Sequence, residues 1–268
     1  MFCFNYNRFI CTRVRNEEEA GENMITISDI AKIVGVSHST VSRSLNDSFE
    51  ISQKTKERKK IVKIYYKFRR EIIVFEFNLN EVKWFCKPKK FNFGSDSIEI
   101  FTEPNTDLWQ KTYYGFQNDN AHILYVTTRE KYFSFTVKTN FEYSELFDQC
   151  GISIYQNSNS WVKAGIEFHD NNTSWLGSVV TNNGYSDWAT TEVGTNIKSM
   201  WYRVSRRECD FLLENSSDGK NFNQMRIFHL FEANDSINIG LLACSPKESS
   251  FKAVFSNIKI TDCLWEKH

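Results

Sequence analysis

The chain has only three prolines and eleven glycines among 268 residues, too few for a Pro/Gly-rich linker or a collagen-like repeat. No stretch approaches the roughly 20 apolar residues that a membrane helix needs. The start, Met1 to Arg15, is broken by Asn5, Asn7, Arg8 and Arg13 and lacks the apolar run and cleavage site of a secretory signal. A cytoplasmic chain with no membrane partner is expected. The seven cysteines (Cys3, Cys11, Cys86, Cys150, Cys209, Cys244, Cys263) are odd in number and never spaced as C-x-x-C, so reduced thiols serving as small hydrophobes are expected. The five histidines show no metal-ligand spacing and no G-x-x-x-x-G-K-[ST] occurs, so neither metal nor cofactor is expected; His122 and His229 read as sandwich residues rather than ligands.

A net charge is missing too, because 33 Lys/Arg balance 33 Asp/Glu. What is present is polarity along the chain. Residues 24–70 carry eleven bases and four acids, net +7, against −1 for residues 1–23 and −6 for residues 71–268. Such asymmetry points the basic segment toward a polyanion. Hydrophobic residues at 41% and aromatics at 15% supply a sizeable core.

Within the basic segment, Ser28 is a helix N-cap candidate, and Ile27, Ile30, Ala31 and Val34 recur at helical spacing. Gly35-Val36-Ser37 interrupts the pattern, and His38 to Leu45 resume it with Val41 and Leu45 on one face. After Asn46-Asp47-Ser48, Ser52 opens a third, strongly basic stretch. Two short helices around a tight turn, followed by a third, form a helix-turn-helix arrangement.

Thr26-Ile27-Ser28-Asp29-Ile30-Ala31, Gly35-Val36-Ser37, Thr40-Val41-Ser42-Arg43 and Leu45-Asn46 resemble the DNA-binding headpiece of the LacI family. The resemblance implies a double-stranded DNA partner, with His38, Ser39 and Arg43 at base edges; Arg43 suits guanine O6 and N7. Ser37, Thr40 and Ser42 suit phosphates. The chain departs from the family in running Arg58-Lys59-Lys60 where an apolar residue is usual, and in lacking the family's hinge helix and sensor domain. A lone headpiece makes too few contacts to hold an operator tightly, so a homodimer is expected. Met24 directly precedes the headpiece, and residues 1–23 are expected to be an over-extended start or an unstructured segment.

From about Glu71 the pattern changes to short apolar runs separated by Asn, Asp, Ser or Gly. Period-2 alternation marks Tyr132 to Lys138, Trp161 to Phe168 and Ile237 to Leu241 as strands, and Ser217-Asp218-Gly219-Lys220 as a hairpin turn. Many strands without long helices indicate an antiparallel sandwich or barrel. Trp109 to Phe116, Phe147 to Gly151, Trp161 to Glu167, Ser178 to Thr181, Ser186-Asp187-Trp188 and Gly240 to Pro246 resemble a concanavalin A-like family, a domain of unknown function also labelled "regulation of enolase". That likeness spans residues 78–260. The expected fold class is therefore two-domain: a small all-α helix-turn-helix headpiece followed by an all-β concanavalin A-like jelly-roll sandwich. The expected boundaries are 24–70 for the headpiece, 71–77 for a linker and 78–264 for the sandwich.

Alternation assigns Val162, Ala164, Ile166 and Phe168 to the core, and Trp161, Lys163, Gly165 and Glu167 to the other face. If the Gln149 strand is a neighbour, an open face presents Gln149, Tyr155, Lys163 and Glu167, joined by Asp187 and Trp188 from the following loop. Aromatics flanked by amide and charged groups suit a carbohydrate; a Lys163–Glu167 ion pair in a structural groove is the plainer alternative. Catalysis is not expected. Glucanases of this fold carry acids as E-x-D-x-E or E-x-D-x-x-E, and Glu208-Cys209-Asp210 to Glu214 misplaces the last one. Three readings stay open: a DNA-binding transcriptional regulator with a sandwich sensing domain; a carbohydrate- or protein-binding sandwich carrying a degenerate headpiece; and, last, a glycoside-active enzyme.

Overall fold

A computed structural model of the chain describes Ser28, Ala31, Lys32, Ser37, His38 and residues 77–266. The chain divides into two units, Met1–Ile72 and Ile73–His268, and nearly all described residues belong to the second. Strands are numbered in chain order. One seven-stranded sheet runs β1 (Lys83–Phe85), β6 (His122–Thr128), β15 (Ile237–Cys244), β8 (Gln149–Asn157), β9 (Ser160–Phe168), β10 (Thr173–Asn182), β11 (Tyr185–Gly194). The other runs β14 (Asn223–His229), β13 (Asp210–Ser216), β12 (Ser199–Arg207), β7 (Tyr132–Phe141), β16 (Lys252–Thr261), β3 (Ser97–Phe101), β2 (Lys90–Phe93). A separate hairpin joins β4 (Leu108–Gln110) to β5 (Gln117–Asp119).

The alternation legible in the sequence explains the core. Phe133, Phe135 and Val137 of β7, with Tyr202 and Val204 of β12, meet Ile152 and Ile154 of β8 and Val162, Ala164 and Ile166 of β9 in one buried cluster. Burying each such side chain contributes about 1.5–3 kcal/mol. The expected turn lies between β13 and β14. There Asp218 accepts from the backbone N–H of Asn221 and Lys220, both at 2.8 Å, while Gly219 takes φ +71°. Those donors hold the Asp218 carboxyl well below its usual range. His122 behaves as expected of a sandwich residue: Glu103 N–H donates to its Nε2 at 3.1 Å, so the proton sits on Nδ1, 2.6 Å from the Cys86 carbonyl.

Two expectations are corrected. The fold class was to include an all-α headpiece, yet every element with defined bounds is a strand, and the described chain is a β-sandwich. Of the expected headpiece only Ser28, Ala31, Lys32, Ser37 and His38 are described; the rest lies outside the described residues, and no helix with defined bounds is established among those that are described. The second correction concerns the β9 face expected to be open. Trp161 is fully buried and Lys163 is 4% exposed. Leu108, Ile123, Tyr155, Trp161, Val179, Leu242 and Cys244 form a second apolar cluster there, with Phe85 and Trp109 packed against it. Half of that face is roofed.

Candidate functional site

The unroofed half is built by register. Gln149 lies opposite Glu167, Glu167 opposite Trp175, and Trp175 opposite Glu192. Two residues along each strand, Gly151, Gly165 and Gly177 face one another. Two further on come Ser153, Lys163, Val179 and Trp188. With a side-chain period of 2, these rows share the face opposite the core, and the outer two stand about 13 Å apart along the strands. The glycine row leaves a trough between them. A Cβ on Gly165 would lie 2.3 Å from the Cys150 carbonyl oxygen, and one on Gly151 1.8 Å from that of Ala164, so no side chain fits at either.

Within the trough is a cavity of about 20 Å³ lined by Gln149, Lys163, Glu167, Ser178 and Trp188, among others. Lys163 Nζ donates to Asp107 Oδ1 at 2.6 Å. Burial pulls the Lys163 pKa down, but the nearby carboxylates, Asp107 foremost, outweigh it, and the group stays charged with its pKa raised. Gln149 Nε2 donates to Glu167 Oε2 at 2.8 Å and to the Phe147 carbonyl at 3.1 Å. Glu167 Oε1 is buried without a hydrogen-bond partner, which natural structures rarely tolerate without a reason. Burial, reinforced by Asp107 and opposed by Lys163 and the Gln149 amide, pushes the Glu167 carboxyl up to about 7.

One wall is aromatic. Trp188, 44% exposed, meets Trp175 edge-on at 5.4 Å and Trp109 at 6.3 Å. Trp175 in turn stacks on His169 at 4.0 Å. The indole N–H of Trp109 donates to the Thr112 carbonyl at 3.0 Å, tying this wall to the loop after β4.

Gln149, Lys163, Glu167 and Trp188 therefore converge as the sequence suggested, and two other candidates do not. Tyr155 lies under the roof: Phe85 stacks on it at 4.2 Å, and its hydroxyl reaches both Asp119 oxygens at 3.0 Å. Asp187 precedes Trp188 on β11 and so faces the opposite way, where Arg226 Nη2 donates to it at 2.7 Å. The Lys163–Glu167 pair is replaced by Lys163–Asp107, a partner 56 positions away that no local pattern marks. Trp175 and His169 were also missed, although period-2 spacing after Glu167 and cross-strand pairing could have found them. Ser37 and His38 are exposed; Ser39, Thr40, Ser42 and Arg43 lie outside the described residues. The acids of Glu208 to Glu214 are dispersed, Asp210 meeting His229 and Glu214 meeting Arg203.

Chemically the trough offers an acceptor oxygen, an amide, a fixed ion pair and indole surface. Asp107 is tied to Lys163, and Cys244, whose thiol burial pushes well up, is held as a thiol. Among the described residues no group of three or more His, Cys, Asp or Glu is placed to hold a metal ion.

Comparison with known proteins bears on both parts of the chain. Residues 26–64 match the family model "Bacterial regulatory proteins, lacI family". Residues 84–263 match "Protein of unknown function (DUF1349)". A Saccharomyces cerevisiae protein named Regulation of enolase protein 1 is 34% identical over 183 residues, 68% of this chain and 90% of that one. A crystal structure of a functionally unknown protein from S. cerevisiae superposes with a TM-score of 0.65 at 34% identity, covering 70% of this chain and 100% of that one. A bifunctional GH43-CE protein of Bacteroides eggerthii shares the fold alone, with a TM-score of 0.55 at 15% identity over 72% of this chain and 25% of that one. With a family model matched across residues 84–263 and a 34% identical relative over 68% of its length, the chain belongs to the DUF1349 family of β-sandwich proteins.

Proposed function

We propose that the sandwich is a saccharide-binding module that recognises its ligand without cleaving it. The observation that carries this reading is the trough across β8 to β11. Its glycine floor admits a ligand close to the backbone, its Trp188 wall offers a stacking surface, and Gln149, Glu167 and Lys163 supply directional partners. Saccharides present this combination of apolar ring faces and hydroxyls. A narrow polar trough suits a sugar better than a protein surface, which needs a broad contact area. Hydrolysis requires two available carboxylates flanking the scissile bond, and here Asp107 is neutralised by Lys163. The test is a glycan array with the full chain and its Trp188→Ala variant. Binding that disappears in the variant supports the reading; an array on which the native chain retains nothing overturns it.

A second reading, binding of double-stranded DNA by residues 26–64, is favoured by the lacI-family match. Under it Arg43, His38 and Ser39 read bases, and Ser37, Thr40 and Ser42 hold phosphates, with two copies on a two-fold-symmetric site.

A further inference from the structure

The cavity within the trough is small and has polar groups in its lining, and that constrains what enters. A cavity of about 20 Å³ holds one water-sized group. Most hydrogen-bonding capacity around it is spent. The Gln149 amide donates to Glu167 and Phe147, and Lys163 donates to Asp107. The buried atom left without a partner is an acceptor, Glu167 Oε1. A group seated against it must therefore donate and be no larger than a hydroxyl or an ammonium; an acetamide, with several heavy atoms, is too large.

Charge separates the two that fit. Lys163 is paired with Asp107, so the Glu167 carboxyl, which burial pushes up to about 7, has no cation hydrogen-bonded to it. A ligand ammonium would supply one and hold it ionised, in a buried setting where unpaired charge is costly. Glu192, exposed and in the same row beyond Trp175, adds to the negative field. Trp188 lines the cavity, and an ammonium that reaches its ring face there would gain about 0.5–2 kcal/mol. No cation free of a carboxylate lines the cavity to oppose this, because Lys163 is held at 2.6 Å by Asp107.

We infer that the trough receives a primary ammonium group against Glu167 Oε1 and Trp188, and that its ligand is a glycan containing unacetylated hexosamine. This rests on the saccharide reading above and narrows it.

The test is calorimetric titration of the full chain at pH 7 with three oligosaccharides of equal length and linkage: glucosamine oligomers, their N-acetylated counterparts and neutral glucose oligomers. The expected result is at least tenfold tighter binding of the amine-bearing oligomer, with the advantage abolished in Glu167→Gln. Because the ligand series uses the native protein, the comparison holds even if the variant folds poorly. Equal or tighter binding of the neutral or acetylated oligomers overturns the ammonium inference and leaves saccharide recognition standing. Failure of all three overturns the hexosamine assignment, while the glycan array decides the saccharide reading separately. A lysine peptide that binds through Glu167 where the oligomers do not would place the ammonium on a protein and overturn the hexosamine assignment.

Discussion

Lys163 and Glu167 lie four residues apart on the same face of β9 and hydrogen-bond to different partners. The Lys163 ammonium goes to Asp107 at 2.6 Å and the Glu167 carboxylate to the Gln149 amide at 2.8 Å. Asp107 satisfies the cation and Gln149 occupies only one carboxylate oxygen, so the other, Glu167 Oε1, has no hydrogen-bond partner.

Glu167 should make stability fall as pH rises. Its folded pKa, about 7 against an ordinary 4.5, means that the folded state holds the proton more tightly than the unfolded chain. The contribution is therefore fully present below about pH 4.5 and is lost as pH climbs through 7. It amounts to at most about 3 kcal/mol. Urea denaturation at pH 5 and pH 8 should show this loss in the native chain and a smaller one in Glu167→Gln; equal slopes would falsify the assignment.

Removing one partner of the buried ion pair should be costly. Lys163→Met leaves Asp107 largely buried and unpaired and is expected to destabilise the sandwich by about 3–5 kcal/mol. The double variant Lys163→Met with Asp107→Leu should recover part of that loss. Thermal melts of the two single variants and the double variant decide it, additive losses being the contrary result.

Filling the trough should cost binding more than folding. A Cβ on Gly177 would lie 3.2 Å from both the Ala189 carbonyl oxygen and Thr190 Cγ2 and 3.3 Å from Trp188 Nε1, a squeeze that a shift of a few tenths of an ångström in these neighbours relieves. Gly177→Ala is expected to lose less than about 1.5 kcal/mol of stability, within the range of an ordinary substitution, while weakening glycan affinity severalfold. Gly165→Ala, which collides with backbone at 2.3 Å, should instead destabilise by about 3 kcal/mol or more. Equal stability of the two would show that the floor is not built as described.

Tyr155→Phe serves as a control outside the trough. It removes the hydroxyl that donates to Asp119, so a loss of about 1 kcal/mol in stability is expected with glycan affinity unchanged. A large drop in affinity would place Tyr155 in the site after all.

If residues 26–64 bind DNA, mobility shifts should weaken linearly in log salt. Arg43→Ala should then cost about 1–3 kcal/mol, concentrated on the preferred sequence. Absence of any shift at low salt removes this second reading.

The strand pattern and the core face of β9 were legible in Trp161 to Phe168 because alternation is local: a period of 2 follows from the backbone pleat alone. The same rule put Gln149, Lys163 and Glu167 on one face and, applied one step further, would have turned Asp187 away from Trp188. Tertiary structure alone decided the rest. Whether a face is open depends on where distant segments come to lie, and here the chain carrying Asp107, Leu108 and Trp109 covers Tyr155 and Trp161. Asp107 reaches Lys163 across 56 residues of sequence, a pairing set by how the sheet and its overlying loop pack and recorded in no stretch short enough to read.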